Sequence, residues 1–303
     1  MSLELPPLLA ELRSPILFAG DAVTAYRDPA LVWHEGSFVL FCTYIVADDD
    51  GGVSMYTMQS RSADLLDWTP PRPITPRDRA LNFSSPGNAV RRGDEWILCL
   101  QTYPRPCGEK YGDETARLFT MRSPDLEHWD APELLRVKGP DVPIEAMGRM
   151  IDPYLVEDIR EPGRWWCLYK QNGVSLSWSC DLREWTYAGR VDGGENVCVL
   201  PDGDGYVMLH SPANGIGIKR SPDLRHWEDG PLITLGQADW PWARGRLTAG
   251  FVLDLRRDER VGHYLMVFHG SGPEDERTTM DHHCSIGVAW SRDLEIWHWP
   301  GSG

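Results

Sequence analysis

Residues 62–68 read Ser-Ala-Asp-Leu-Leu-Asp-Trp, and the pattern Ser-x-Asp-Leu-x-x-Trp occurs five times along the chain. The other copies begin at Ser123, Ser179, Ser221 and Ser291, so the unit repeats about every 40 to 70 residues. The pattern suits a turn between two strands, because Ser and Asp side chains bond nearby backbone N–H groups and Trp offers a large apolar face. Large units repeated at such a spacing are typical of solenoids and propellers.

Three short apolar segments separated by turn residues precede each copy of the pattern. In the first unit they are residues 30–33, 38–44 and 54–59. Short apolar segments between turn signals predict strands, and only residues 8–12 suggest a helix. Each unit therefore reads as four antiparallel strands. Five such units predict an all-β protein, a five-bladed β-propeller that residues 1–303 form as a single catalytic domain.

Composition limits the partners and the compartment. The net charge of −15 argues against nucleic acid and anionic membranes as partners. No apolar run approaches membrane-spanning length, and no signal peptide is visible, so we expect a cytoplasmic protein unless a leader preceded the printed sequence. The seven cysteines are an odd number without a Cys-x-x-Cys pair, which favours reduced core thiols over disulfides. The oligomeric state stays open.

Carboxylates recur at one place when the first strands of four units are aligned on a shared valine, namely Val32, Val156, Val199 and Val252. Four residues earlier stand Asp28, Asp152, Glu195 and Thr248; the second unit aligns less cleanly and offers Ser85 or Pro86. Innermost strands surround the axis of a propeller, so the three acids should converge at one mouth of its channel. Each Asp-Pro pair taken alone also has a purely structural interpretation, because Asp-Pro commonly opens a turn.

Loop lengths indicate which mouth is open. The hairpin turns after the first strands and the repeat turns are short and lie at one end. The long loops and connectors lie at the other end, namely 47–52, 104–114, 270–283, 70–85, 138–150 and 236–248. Long loops over one face of a rigid scaffold usually carry binding, and the three acids begin strands at that same face.

Two tetrapeptides carry a family resemblance, Tyr26-Arg27-Asp28-Pro29 and Met150-Ile151-Asp152-Pro153. With Glu195 and the repeated turn, they make nearly the whole chain resemble the family 43 glycoside hydrolases and related five-bladed glycosidases. The resemblance implies that Asp28 is the general base and Glu195 the general acid. It also implies that Asp152 stays ionised, tunes the pKa of the acid and orients the sugar. The family commonly follows its acid with Gly-Pro or Ala-Pro, whereas this chain has Asn196-Val197, so Glu145 is the reserve candidate.

The expected activity is cleavage of glycosidic bonds in small oligosaccharides of the arabinofuranoside, xyloside or galactoside type. Glycosidases use two carboxyl groups, which stand roughly 6.5–9.5 Å apart in inverting enzymes and about 5–5.5 Å apart in retaining ones. The resemblance implies inversion. The alternatives are a retaining family 32-type fructosidase, a family 130-type phosphorylase that would need basic residues for phosphate, and a non-catalytic carbohydrate-binding propeller, which the Asn196 departure favours.

Further site residues follow from the strand order. The second strands return to the same face, and their ends present candidates for binding sugar hydroxyls: Tyr44, Tyr103, Lys170, His210 and His269. The connector after the fourth unit adds two indoles for stacking on sugars and a guanidinium for hydroxyls or a uronic carboxylate: Trp240, Trp242 and Arg246. No cofactor is expected to be required. Some relatives hold a histidine or calcium near the axis, which would place His283 near a central ion and add a structural calcium.

Overall fold

The computed structural model describes residues 5–272 and 280–302, so that part of the predicted loop 270–283 lies outside the described residues. Helices are short in the described ranges. The helix α1 (Pro7–Glu11) matches the helix predicted at residues 8–12, and two 3-10 helices cover Ile144–Met147 and Pro241–Ala243. None of the helices in these ranges is long and apolar enough to cross a membrane.

The strands form five antiparallel sheets, which confirms the all-β fold with five blades. The strand β1 (Ile16–Phe18) comes first in the chain. Blade one contains β2 (Thr24–His34), β3 (Ser37–Ala47), β4 (Val53–Ser62) and β5 (Arg72–Pro73). Blade two contains β6 (Phe83–Arg92), β7 (Glu95–Thr102), β8 (Leu118–Ser123) and β9 (Glu133–Leu134). Blade three contains β10 (Ile151–Glu157), β11 (Trp165–Lys170), β12 (Val174–Ser179) and β13 (Thr186–Val191).

Blade four contains β14 (Glu195–Asp202), β15 (Gly205–Ser211), β16 (Ile216–Ser221) and β17 (Glu228–Ile233). Blade five contains β18 (Arg246–Asp254), β19 (Tyr264–Ser271), β20 (Cys284–Ser291) and β21 (Trp297–His298), together with β1. The innermost strands β2, β6, β10, β14 and β18 each contact the next, and β18 contacts β2 again. The blades therefore surround one axis.

The outer edge of blade five is built from both ends of the chain. Strand β1 pairs with β20 through Ile16 and Gly287, whereas β21 pairs with the other end of β20 through Trp297 and Ser291. The repeat predicted four strands from one continuous segment in every blade. Blade five differs because it has a fifth strand: β1, from the start of the chain, pairs with β20 beside β21 and closes the ring.

The five repeat turns have the predicted hydrogen bonds. In the first turn, the Leu65 N–H donates to Ser62 Oγ at 2.8 Å, and the Asp67 N–H donates to Asp64 Oδ1 at 2.9 Å. The leucine of every turn is buried and has a positive φ between 58° and 66°. Of the repeat tryptophans, Trp185 and Trp297 are buried. The repeat predicts equivalent, largely buried positions for all five, but the other three are only half-buried: Trp68, Trp129 and Trp227.

The long loops meet on the face where the innermost strands begin. Arg105 of the loop between β7 and β8 forms an ion pair with Asp281 of the loop between β19 and β20, with Nη1 and Oδ2 2.9 Å apart. A cavity of about 720 Å³ lies between these loops and the loop at residues 51–53. The blade cores below are tightly packed and hold the strand ends rigidly.

Candidate active site

Five residues, one from each innermost strand, surround the axis. They share a positive φ between 42° and 55° and line one cavity, and we call them the central ring: Asp28, Ser85, Asp152, Asn196 and Ala249. The cavity has a volume of about 20 Å³, which is room for about one water molecule. Two of the five ring positions therefore carry a carboxyl group, and two more carry a polar side chain.

A bulge in each innermost strand causes this arrangement. In blade one the ladder between β2 and β3 pairs Arg27 with Thr43, skips the next positions and resumes with Ala30 and Phe41. The same shift occurs at the ring residue of blades three, four and five, and in blade two the shift is one residue larger. A bulge leaves one residue unpaired and redirects its side chain. Asp and Asn accept the left-handed conformation better than most residues do, which suits them to these places.

The positions of the ring residues show that the sequence alignment on valine is wrong by one residue in blades four and five. The shared valine placed Glu195 and Thr248 in line with Asp28, whereas the bulges place Asn196 and Ala249 there. The alignment slipped because Leu and Val are interchangeable in a buried strand, so a valine alone does not fix the register. Glu195 is thus the residue before the bulge, equivalent to Arg27 in blade one.

The same geometry explains the departure at Asn196. Its φ of 49° lies in the region that glycine adopts freely and that asparagine adopts more readily than most other residues. The glycine that commonly follows the acid in family 43 would fit this conformation. Asn196 therefore keeps the backbone path while adding a carboxamide at the axis.

Asp28 is held on both carboxyl oxygens. Thr43 Oγ1 donates to Oδ2 at 2.9 Å, and Asn196 Nδ2 donates to Oδ1 at 3.3 Å. Burial favours the neutral acid, but His269, Arg27 and hydroxyl groups outweigh it and hold the pKa of Asp28 below its ordinary value. The pKa of His269 itself lies at about 4, so near neutral pH Arg27, Thr43 and Ser85 keep Asp28 ionised.

Asp152 has the opposite electrostatic environment. Burial, followed by the charges of Glu195 and Asp28, raises its pKa to about 8. The side chain of Ser85 hydrogen-bonds to it and partly opposes this shift. We expected an ionised Asp152, but its environment favours the neutral acid, because this residue is only 7% exposed and lies near two other acids. The two ring aspartates therefore differ in protonation state.

Glu195 lies beside this pair, and Glu145 does not. Glu195 is half-buried at the start of β14 and is close enough to Asp152 to raise its pKa. Glu145 lies exposed on the 3-10 helix of the connector before blade three, where its charge acts on Arg117. The structure therefore groups Glu195 with Asp28 and Asp152 and leaves the reserve candidate outside.

The two predicted histidines support the backbone. His269 Nδ1 accepts the N–H of Asp28 at 3.0 Å, and His210 Nδ1 accepts the N–H of Gly194, next to Glu195, at 2.9 Å. Both rings are buried, and burial lowers both pKa values to about 4, so both are neutral at pH 7. Through these contacts both rings fix the chain next to its acids, and the predicted contact of the two histidines with a sugar stays a prediction.

Three predicted binding residues lie around the mouth and are half-buried. Tyr44 stacks on Tyr26 with ring centroids 5.3 Å apart. Tyr103 is close enough to Asp152 for that charge to contribute to its raised pKa, which is due mainly to burial. Lys170 pairs with Ile151 in the ladder, directly before Asp152. The structure thus brings these side chains near the central ring, and their contact with a sugar stays a prediction.

The two tryptophans of the connector between blades four and five lie in different environments, one in the core and one closer to the surface. Trp240 is 9% exposed and stacks on Trp242 with ring centroids 5.2 Å apart, so its predicted stacking on a sugar does not fit. Trp242 is half-buried and also packs against Phe268. Arg246 is half-buried, and its Nη2 donates to the Ala213 carbonyl at 3.2 Å. Sequence alone could not separate a core indole from a binding one, because both uses need the same apolar ring.

The residues at the axis do not fit a calcium cage. Calcium takes six to eight oxygen ligands, and the small cavity, with room for about one water molecule, is lined by only two carboxyl groups. His283 is exposed, and its N–H donates to the Asp21 carbonyl, away from the cavity lining. In residues 5–272 and 280–302, no group of three or more His, Cys, Asp or Glu could hold a metal.

Comparison with known proteins gives the class of fold. No protein-family model and no curated protein matches the sequence. Solved structures do match, among them an exo-1,5-α-L-arabinanase from a bovine ruminal metagenomic library, with a TM-score of 0.62 and 15% identity over 92% of this chain and 98% of that one. The chain thus has the fold of five-bladed propeller glycosidases.

Two further structures widen the comparison. The family 43 enzyme from Xanthomonas citri in complex with xylose has a TM-score of 0.62 and 12% identity over 96% of this chain and 94% of that one. The catalytic domain of the family 62 α-L-arabinofuranosidase from Coprinopsis cinerea has a TM-score of 0.62 and 14% identity over 91% and 94%. The fold that the tetrapeptides and the repeat predicted is therefore the one that family 43 and family 62 glycoside hydrolases share.

Proposed function

We propose that this protein is a glycoside hydrolase that cleaves a glycosidic bond with Asp28 as general base and Glu195 as general acid. The observation that carries the proposal is the grouping of Asp28, Asp152 and Glu195 at one mouth of the propeller axis, below the long loops. Two of these acids differ in protonation state. Such a pair of differently tuned carboxyl groups is what acid–base cleavage of a glycoside needs.

Asp28 suits the role of the base. It is 13% exposed at its side chain and stays ionised near neutral pH, with one donor on each oxygen. An ionised, fixed carboxylate can take a proton from a water molecule as that water attacks the sugar.

The acid role requires a proton near the leaving oxygen. Asp152, next to Glu195, has a pKa raised to about 8, because burial and the charges of Glu195 and Asp28 disfavour its ionised form. Glu195 is the more exposed of the two, which suits it to donate a proton to a bound substrate. Asp152 then acts as the buried, neutral partner that orients the sugar, rather than as the ionised residue expected at first.

The proposed substrates are small oligosaccharides with an arabinofuranoside, xyloside or galactoside end. The names of the neighbouring structures support this range, because they include an arabinanase, an α-L-arabinofuranosidase and a β-1,3-galactosidase. Cleavage with inversion is the proposed outcome, which requires roughly 6.5–9.5 Å between the carboxyl groups of Asp28 and Glu195. The conformation of Asn196 removes the main reason to favour a non-catalytic binding propeller.

A substrate screen tests the proposal. Aryl α-L-arabinofuranosides, β-D-xylosides and β-D-galactosides should include at least one that the protein hydrolyses, and Asp28→Ala should abolish that turnover. Asp181→Ala is a matched control, because Asp181 belongs to a repeat turn far from the axis. If the protein binds these sugars but hydrolyses none of them, a sugar-binding propeller becomes the better account.

A further inference from the structure

Asn196, like Ser85, contacts both ring aspartates, and it is the ring residue directly bonded to Glu195 in the chain. Its Nδ2 donates to Asp28 Oδ1 at 3.3 Å, and its backbone N–H hydrogen-bonds to the Asp152 carboxyl group. Asp28 belongs to blade one and Asn196 to blade four, and these blades are not neighbours in the ring. The side-chain hydrogen bond therefore crosses the propeller axis.

This cross-axis bond also involves the neighbour of Asn196 in the chain. Glu195 precedes Asn196 directly, and the Gly194 N–H before it is held by the buried ring of His210. The backbone that carries Glu195 is thus fixed on one side by His210 and on the other side by the contacts of Asn196. Since Asn196 also holds Asp28, one side chain connects the proposed acid and the proposed base.

We propose that Asn196 is a positioning residue that fixes the separation of Asp28 and Glu195 and holds the Asp28 carboxylate in one orientation. This inference rests on the proposed function. The separation of the two carboxyl groups decides whether a water molecule fits between the base and the sugar. A carboxamide at this place does what the glycine commonly found there in family 43 cannot do, because glycine has no side chain to cross the axis.

Two substitutions separate the contribution of the Asn196 side chain from that of its backbone conformation. Asn196→Gly removes the carboxamide while the φ of 49° stays unstrained, since glycine adopts this conformation freely. Asn196→Asp keeps the size, and Asp28 and Asp152 show that aspartate accepts the same conformation at this ring. It replaces the NH₂ donor by a third carboxyl group that faces Asp28.

The pH profile of kcat/KM is the first measurement. Asn196→Gly should move its acidic limb to higher pH by up to about one unit, because a hydrogen bond to the ionised base is lost. Asn196→Asp should move the limb further, because a like charge is added. We expect kcat to fall about tenfold in Asn196→Gly with KM nearly unchanged, since the base and the acid lose their alignment.

Asn172 provides the matched control. It lies exposed in the turn between β11 and β12 with a φ of 53°, so Asn172→Gly and Asn172→Asp make the same changes in the same backbone conformation. Both controls should leave the acidic limb in place. The inference is overturned if the two Asn196 variants keep the wild-type limb and kcat, or if they lose only stability.

A second readout does not depend on activity. Carbon NMR of labelled aspartate carboxyl groups, with Asp28 assigned through Asp28→Asn, should show the pKa of Asp28 rising in the order wild type, Asn196→Gly, Asn196→Asp. An inactive wild-type protein would contradict the proposed function, and the NMR order would still test the contact. An unchanged Asp28 titration in both variants would contradict the role of Asn196.

Discussion

Asp152→Asn should change how the stability of the protein depends on pH. The folded-state pKa of Asp152 is about 8 and its ordinary value is 3.8, so the folded protein holds one proton more than the unfolded chain between these values. The sign follows from proton linkage: this group lowers stability as pH rises through the window, by about 1.4 kcal/mol per pH unit. Asparagine is neutral at every pH, so the Asp152→Asn variant does not lose this part of its stability as the pH rises.

The effect of Asp152 on stability can be measured separately from that of the histidines between about pH 6.5 and 8. His210 and His269 have folded-state pKa values of about 4 against 6.5, so they change stability only below about pH 6.5 and with the opposite sign. The pKa of Asp28 is lowered, so its ionisation changes the stability of the protein only below about its ordinary pKa of 3.8. Relative to wild type, Asp152→Asn should therefore gain about 2 kcal/mol of unfolding free energy between pH 6.5 and pH 8.

Urea denaturation of both proteins at several pH values measures this gain. Asp181→Asn is the matched control, because it makes the same change in a repeat turn where backbone N–H groups outweigh burial and lower the pKa. Its difference from wild type should stay constant above pH 6.5. A constant difference for Asp152→Asn over the same range would refute the reasoning about its proton.

The remaining predictions concern the repeat turns and the thiols. Trp185→Ala should lower the unfolding free energy by about 3–5 kcal/mol because its ring is buried, whereas Trp68→Ala should cost less because Trp68 is half-buried; chemical denaturation measures both, and equal losses would contradict the difference in burial. A thiol reagent such as Ellman's should label only the exposed Cys107 and Cys180 in the folded protein and all seven cysteines after unfolding. Rapid labelling of more than two thiols in the folded state would contradict the burial of the other five.

The repeat predicted the fold well because its chemistry is local. Ser62 and Asp64 bond backbone groups two or three residues away, and such contacts can be read from a seven-residue pattern. The closure of the ring was not predictable in this way. Strand β1 has three residues and no repeat signal, and its partner β20 lies at the far end of the chain.

The candidate site was predictable only in part. Asp28 and Asp152 stand before proline at bulges, and the Asp-Pro pairs marked both places. Blades four and five have no proline there, so the alignment rested on a valine and slipped by one residue, which hid the role of Asn196. The protonation of Asp152 and the support from His269 depend on burial and on contacts between distant blades, and no local pattern encodes them.

A comparison of leaving groups in Glu195→Gln tests the central claim most directly. With a dinitrophenyl glycoside, which needs little protonation, the variant should keep most of the wild-type turnover. With an alkyl or sugar aglycone it should lose about 10²–10⁴-fold, the usual contribution of general acid catalysis. Glu145→Gln, the matched control at an exposed glutamate, should keep wild-type turnover on both substrates. Equal losses of Glu195→Gln on both leaving groups would contradict the assignment of Glu195 as the acid.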